Sequence, residues 1–370
     1  MNNFPEIKKN FGFGMMRLPM TGEHVDIPQT CAMVDAFLEA GFNYFDTAHG
    51  YIGGKSELAV KDCLTSRYPR ESYILTDKLS PNFFNTEAEI RPYFESMLEA
   101  CGVEYFDFFL LHSLTAGNYS HYTNNRAFEI ASELKAEGKV RHVGISFHDT
   151  AETLEKILSE QPSIEVVQLQ FNYLDYEDKN IQSRLCYEVC VKYGKPVIVM
   201  EPVRGGSLVN LPEAGLKEIQ KLGKYSPAGY AIRYAASFDN IFMVLSGMSN
   251  MEQMLDNTSY MQDFVPLTYD EEKLVHQAAA LIGAEIAIPC TGCAYCLDGC
   301  PMNIATPQYF ALYNAAGVLG EGAGIDKQYA KLTETFGRAG ECIGCGQCQE
   351  VCPQQLPIIE HLKQVAEKFE

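Results

Sequence analysis

The 370-residue chain is short of positive charge: 29 Lys and Arg face 48 Asp and Glu, for a formal charge of −19. With nothing to offset phosphate repulsion, neither nucleic acid nor an anionic membrane is expected as a partner. The acidic residues are scattered rather than blocked, which fits a solvated surface. No run of eighteen apolar residues exists, so no membrane span is expected. The opening MNNFPEIKKNFGFG holds no apolar stretch of signal-peptide length, and a cytoplasmic protein is expected. A complete glycine-rich dinucleotide turn is missing too. FGFGMM has the G-x-G spacing but lacks the remaining glycine and an immediate helix.

What is present is a large apolar fraction, 46%. The length suits one large domain plus a smaller one. Up to about residue 260, eight short apolar runs alternate with amphipathic ones: FGFGMMRL, NYFDTA, YILTDKL, FDFFLLHS, VRHVGISF, VVQLQFNY, PVIVMEP and IFMVLSGM. Near-continuous hydrophobicity of this kind fits strands covered on both faces. Between them, stretches such as PQTCAMVDAFLEAG and EAEIRPYFESMLEACG have helical spacing and end in glycine, a common stop. Eight such units predict an α/β fold, a (β/α)8 TIM barrel over residues 1–265. A doubly wound open sheet is the alternative. Residues 266–288 read as a helical connector, and 289–370 as a separate, mainly helical domain.

That last domain carries a repeated device. CTGCAYCLDGCP, from Cys290, has a near twin in CIGCGQCQEVCP, from Cys342. A 4Fe–4S cube takes one thiolate per iron. Two-residue steps let three cysteines reach three corners, and the fourth, before proline, commonly ligates the other cube. This spacing assigns Cys290, Cys293, Cys296 and Cys352 to one cluster and Cys342, Cys345, Cys348 and Cys300 to the other. Zinc knuckles are the alternative, but zinc sites typically pair C-x2-C with a distant second pair. The helical segment between the motifs suggests a helical rather than a compact ferredoxin-like domain. Cys31, Cys63, Cys101, Cys186 and Cys190 read as reduced, buried small side chains.

Barrel chemistry gathers at the C-terminal strand ends. Strand two ends in FDTAHGY, strand three in TDKL and strand four in LLHS. They offer Asp46, Tyr51, Lys78 and His112. Charge at one strand end only marks where it meets solvent; four such groups suggest a proton-transfer site. A phenol has an ordinary pKa of about 10. An adjacent Lys78 ammonium would favour its phenolate, and Asp46 would hold the lysine in place. His112 would donate to a carbonyl oxygen and orient the substrate.

FDTAHGY, TDK, LLHS, GKVRHVGIS, QLQFNY and EPVRGG together resemble the aldo-keto reductase family. The whole chain resembles its branch with a C-terminal ferredoxin-like domain carrying two 4Fe–4S clusters. The resemblance implies a (β/α)8 barrel that binds NADP(H) or NAD(H), with Asp46, Tyr51, Lys78 and His112 as the catalytic tetrad. It also places Ser146 and Gln168 at the nicotinamide carboxamide. Pro202, Arg204, Gly205, Gly206, Ser246 and Gly247 fall in the loops after strands seven and eight, and Gln253 and Asn257 near the adenine. Three departures stand out. The usual Ser-Asn pair after strand five is Ser146-Phe147. GMSNMEQMLDN has no Lys or Arg to clamp a 2′-phosphate, leaving Arg204 as the nearest basic residue. The N-terminal hairpin that often plugs the barrel floor looks shortened or absent.

A nicotinamide moves two electrons as hydride, whereas a cube passes one. Three readings follow. The barrel reduces a small-molecule carbonyl, or oxidises an alcohol, with structural or redox-active clusters. Or a flavin occupies the barrel and the clusters relay electrons to a ferredoxin-like or flavoprotein partner. Or the barrel is a scaffold for an electron carrier, which leaves the four residues without a purpose. Tyr119 and Tyr122, after strand four, read as packing or as substrate contacts.

Overall fold

Every apolar run named above becomes a strand in the computed structural model, which describes residues 4–319 and 324–370. They are β1 (Phe11–Gly14), β2 (Tyr44–Asp46), β3 (Ile74–Leu79), β4 (Phe106–Leu114), β5 (Val140–Phe147), β6 (Val166–Gln170), β7 (Val197–Met200) and β8 (Ile241–Gly247). All neighbours are parallel, and β1 pairs with both β2 and β8, so the sheet closes on itself. Closure decides against the doubly wound alternative, which would leave two free edges. β3 and β6 are buried at every position. Inward side chains fill the barrel and outward ones meet helices, which is why these strands do not alternate with polar residues.

The outer helices are α1 (Ile27–Glu39), α2 (Lys55–Val60), α3 (Glu87–Cys101), α4 (Ala127–Ala136), α5 (Ala151–Glu160), α6 (Ser183–Lys192), α7 (Pro227–Ala236) and α8 (Met251–Met261). Their ends follow local chemistry. The Asp26 carboxylate accepts from Gln29 N–H to start α1. Thr86 and Glu89 form a capping box on α3, and Gly102 ends it in the left-handed region at φ 68°. α2 runs on into a π-helical turn, Lys61–Thr65. Cys186 and Cys190 are buried on α6. Among the described residues no helix is long and apolar enough to cross a membrane.

The barrel interior is tightly filled. A Cβ on Gly144 would lie 2.5 Å from Val166 Cγ2 and 2.7 Å from Leu110 Cδ2. Below it, Phe4 and Ile7 join Tyr44, Ile74, Phe108 and Ile198 in one apolar cluster. The Phe4 ring lies 5.1 Å from Phe108 and 4.6 Å from Phe242. Phe4 and Ile7 thus fill the barrel floor that the sequence left open.

The chain divides into two units. The barrel unit runs to Pro202 and includes Ala228–Tyr269; the second comprises Val203–Pro227 and Asp270–Glu370. Val203–Pro227, expected within the barrel, therefore belongs with the C-terminal residues. Its helix, Glu213–Gln220, was not foreseen. Gly215 in that helix packs on α9 (Tyr269–Glu285), where a Cβ would lie 2.4 Å from Ile282 Cγ1. The second unit also holds α10 (Thr306–Leu319), α11 (Ile325–Leu332) and α12 (Ile358–Phe369). Ile304, Tyr309, Phe310, Leu362 and Val365 form its core, against which Cys290, Cys300, Cys342, Cys348 and Cys352 pack.

Candidate active site

Strand register brings the first residues of the site together. Asp46, the last residue of β2, pairs with Gly14 of β1 and Thr76 of β3. Lys78 lies two residues further along β3, on the same face as Thr76. Its Nζ donates to Asp46 Oδ1 at 2.6 Å, to Thr47 O at 2.7 Å and to Tyr51 Oη at 3.2 Å. An ammonium has three protons, and all three are directed. Lys78 is fully buried and Asp46 is 3% exposed. Burial raises the Asp46 carboxyl above its usual range, while Lys78 and then Gln168 pull it back.

His112 reaches the site through an irregularity. Pairing between β4 and β5 shifts between Leu111 and Leu114, and Ser113 adopts a left-handed φ of 55°. Such breaks re-aim side chains beside active sites. Ser146 Oγ accepts from Ser113 N–H at 2.7 Å, and Asn118 Nδ2 donates to Ser113 O at 2.8 Å, holding the bend. The His112 ring stands edge-on to Tyr51, with centroids 5.9 Å apart. Its Nδ1 lies 2.6 Å from Ser80 Oγ. Burial, then Lys78 and His148, hold its pKa well below the ordinary imidazole value. Asp46, Tyr51, Lys78 and His112 thus converge.

The expected nucleotide contacts divide. Ser146 and Gln168 line the same region, but both have protein partners: Ser146 receives Ser113 N–H, and Gln168 Nε2 donates to Asp46 Oδ2 at 3.3 Å. Asn257 is buried rather than presented outward; it donates to Ser246 Oγ at 2.9 Å and accepts from Tyr260 Oη at 2.7 Å. Gln253 is exposed, and its side chain accepts from Ser249 N–H. Pro202 is the last residue before the chain leaves the barrel unit. Arg204 is 3% exposed and donates to Pro289 O at 3.0 Å. Gly205 and Gly206 both have positive φ, and a Cβ on Gly205 would lie 1.8 Å from Thr291 O. Arg204 and Gly205 thus pack beside the first cysteine motif. Tyr119 and Tyr122 pack inward: Tyr119 donates to Glu160, and Tyr122 to His112 O and Leu79 O.

Sequence reading missed two residues. Ser80, two positions after Lys78, supports His112; its place at the end of β3 was the available signal. Arg17 follows β1 in a 3-10 turn, Met15–Arg17. Its side chain lies along Gly247 at the end of β8, 3.3–3.4 Å from where a Cβ would stand there. Its Nη2 is buried with no hydrogen-bond partner among the described residues. A guanidinium nitrogen left buried in this way, on a side chain whose stem runs along the end of β8, is a candidate to meet an anion.

In the second unit, the eight motif cysteines fit cubane ligation. Cys300, Cys342, Cys345 and Cys348 line one pocket. After burial, the neighbours that push the Cys348 thiol up are Cys342, Cys345 and Cys300. Burial, then Cys293, Cys290 and Cys352, push Cys296 up to about 12. A thiol pushed up by neighbouring thiols is what crowding produces before a cation neutralises the group. Gly292 N–H lies 3.4 Å from Cys290 Sγ, and Ile304 N–H 3.4 Å from Cys300 Sγ.

Comparison with known proteins agrees with both halves. Residues 10–280 match the aldo/keto reductase family, and residues 289–357 match the 4Fe-4S dicluster domain. L-galactose dehydrogenase of Arabidopsis thaliana is 26% identical over 290 residues, covering 73% of this chain and 89% of that protein. Putative ferredoxin-3 of Sinorhizobium fredii is 33% identical over 72 residues, 18% of this chain and 67% of that protein. The holo form of an aldo-keto reductase from Bacillus halodurans aligns with a TM-score of 0.61 at 25% identity, covering 73% of this chain and 92% of that one. A closed parallel barrel, a buried lysine directed at a carboxylate and a phenol, and a family match over most of the length lead to one conclusion: the chain is an oxidoreductase of the aldo/keto reductase family, followed by a 4Fe–4S dicluster domain.

Proposed function

We propose that the barrel reduces a small-molecule carbonyl, or oxidises the alcohol in reverse, with a nicotinamide nucleotide as hydride carrier and Tyr51 as proton donor. The observation that carries this reading is the Lys78 ammonium, buried and 3.2 Å from Tyr51 Oη. When bound, the reduced nicotinamide would supply the hydride. Tyr51 Oη gives its proton to the carbonyl oxygen, and Lys78 stabilises the charge left on the phenol. Asp46 keeps the lysine in place. Ser80 Oγ lies 2.6 Å from His112 Nδ1; in the tautomer where the hydroxyl donates, the Nε2–H of a neutral imidazole is left to orient the carbonyl. Arg17 meets the nucleotide's phosphate groups.

In the second unit, Cys290, Cys293, Cys296 and Cys352 would hold one 4Fe–4S cluster, and Cys342, Cys345, Cys348 and Cys300 the other. The clusters would pass electrons singly to a ferredoxin-like or flavoprotein partner. The test uses anaerobically purified protein. Tyr51→Phe should lower carbonyl reduction at least about 100-fold while nucleotide binding, followed by fluorescence quenching, stays intact. An unchanged rate refutes the reading.

A further inference from the structure

Two cysteines outside both sites face each other across the barrel exterior. Cys31 lies on α1, and Cys63 in the π-helical turn that follows α2. They are 32 residues apart in sequence, yet their sulfurs are 2.8 Å apart. A disulfide bond is about 2.05 Å long, so closure needs less than about 1 Å of movement. π-helical turns are rare and concentrate at functional positions.

The two thiols differ in access. Cys63 is buried, and Cys31 is partly open to solvent. Burial and the neighbouring Cys31 push the Cys63 thiol up, so it stays protonated until its partner reacts. Arg67 spans the pair: its Nη1 donates to Cys63 O at 3.0 Å and reaches Cys31 O at 3.4 Å. Its Nη2 pairs with Asp35 at 2.8 Å, and Tyr68 Oη donates to the same carboxylate. Cys31, as the partly exposed member, is the sulfur that an oxidant can reach.

We propose that Cys31 and Cys63 form an oxidisable dithiol that closes to an intramolecular disulfide, with a small-molecule disulfide as oxidant. The Cys31 thiolate attacks the oxidant, releases one small thiol and forms a mixed disulfide. Cys63 then attacks the Cys31 sulfur and releases the second small thiol. The protein loses two electrons and two protons, and the oxidant gains both as two thiols. The bond ties α1 to the turn behind α2, a helix that begins four residues after Tyr51. Ser56 at the start of α2 already joins that region, within hydrogen-bond distance of Thr47 Oγ1 at 2.7 Å and donating to Met15 O at 2.9 Å. The dithiol is therefore a modification site on the scaffold of the Tyr51 segment, and it stands whether or not Tyr51 is the proton donor.

The test treats the full-length, cluster-loaded protein anaerobically with oxidised glutathione, then alkylates free thiols and maps them by mass spectrometry. The expected result is a cross-linked peptide joining Cys31 and Cys63, with two fewer alkylated thiols. Cys101, Cys186 and Cys190 remain unchanged, and dithiothreitol reverses the link. In Cys63→Ser, Cys31 should retain one glutathione as a stable mixed disulfide. The proposal is overturned if Cys31 and Cys63 of the unmutated protein stay as alkylatable as before treatment, or if either pairs with another cysteine.

Discussion

Lys78 Nζ lies 2.6 Å from Asp46 Oδ1, and the two side chains are 0% and 4% exposed. Removing one partner of such a pair leaves an uncompensated buried charge, at a cost of about 3–5 kcal/mol. Lys78→Met should therefore abolish carbonyl reduction and lower the unfolding free energy by about 3 kcal/mol, read from urea denaturation. Asp46→Asn with Lys78→Met should regain most of that stability and none of the activity. Equal stability of the single and double variants would show that the pair carries no such coupling.

Arg17 Nη2 is buried without a hydrogen-bond partner among the described residues, and the stem of this side chain lies along Gly247. A hydrogen bond to a charged group is worth about 1.5–3 kcal/mol. Arg17→Gln should raise KM for the nicotinamide nucleotide about 10-fold or more, with kcat little changed. The effect should shrink at high salt, because the contact is between charges. A loss of kcat alone would place Arg17 elsewhere in the reaction.

The grouping of Cys352 with Cys296, and of Cys300 with Cys348, makes iron content diagnostic. Cys296→Ala and Cys352→Ala should each remove about half of the iron and acid-labile sulfide, and the double variant should remove no more. Cys296→Ala with Cys348→Ala should remove nearly all. Ligation within each motif alone would make the first double variant lose everything.

Gly205 holds φ +62°, and a Cβ there would meet Thr291 O at 1.8 Å. Gly205→Ala should cost at least about 1–3 kcal/mol of stability from backbone strain and overpacking. Thermal unfolding should report this, while the Kd for nucleotide stays within about twofold of the parent, a difference under about 0.5 kcal/mol. A large change in Kd would restore the nucleotide role first expected of this loop.

Burial lowers His148 to about 4 from the ordinary 6.5. The unfolded chain therefore takes up the proton first as the pH falls, so stability present above 6.5 is lost toward 4. Between pH 7 and pH 5 the loss from this group is about 2 kcal/mol. Glu57, raised to about 7 by burial, acts in the opposite sense, gaining stability as pH falls through 7. The difference between the parent and His148→Gln isolates the histidine; an unchanged acid limb in that variant would refute the assignment.

Much of this protein is legible in its sequence. The strand runs could be read because both faces of a closed parallel barrel are apolar. The ends of β2, β3 and β4 could be read because ionisable residues there interrupt those runs. Short-range spacing also carried the cysteine motifs, since three corners of a cube demand two-residue steps. Less legible was the loop after β7. EPVRGG has the composition of a phosphate loop, yet Arg204 and Gly205 turn to Pro289 and Thr291, more than eighty residues away. Nor did the sequence show that Phe4 fills the barrel floor, because a lone aromatic near a terminus has no periodicity to announce it.

Residue order by itself determined the barrel, the four groups at its strand ends and the two cysteine sets, because each depends on periodicity or local spacing along one segment. Tertiary structure alone decided that Arg17 lies against Gly247, that Ser80 supports His112 and that the sulfurs of Cys31 and Cys63 touch. Each of these joins segments by closure of the sheet or packing of one helix on another, and the distance between two such segments is set by the folded chain as a whole.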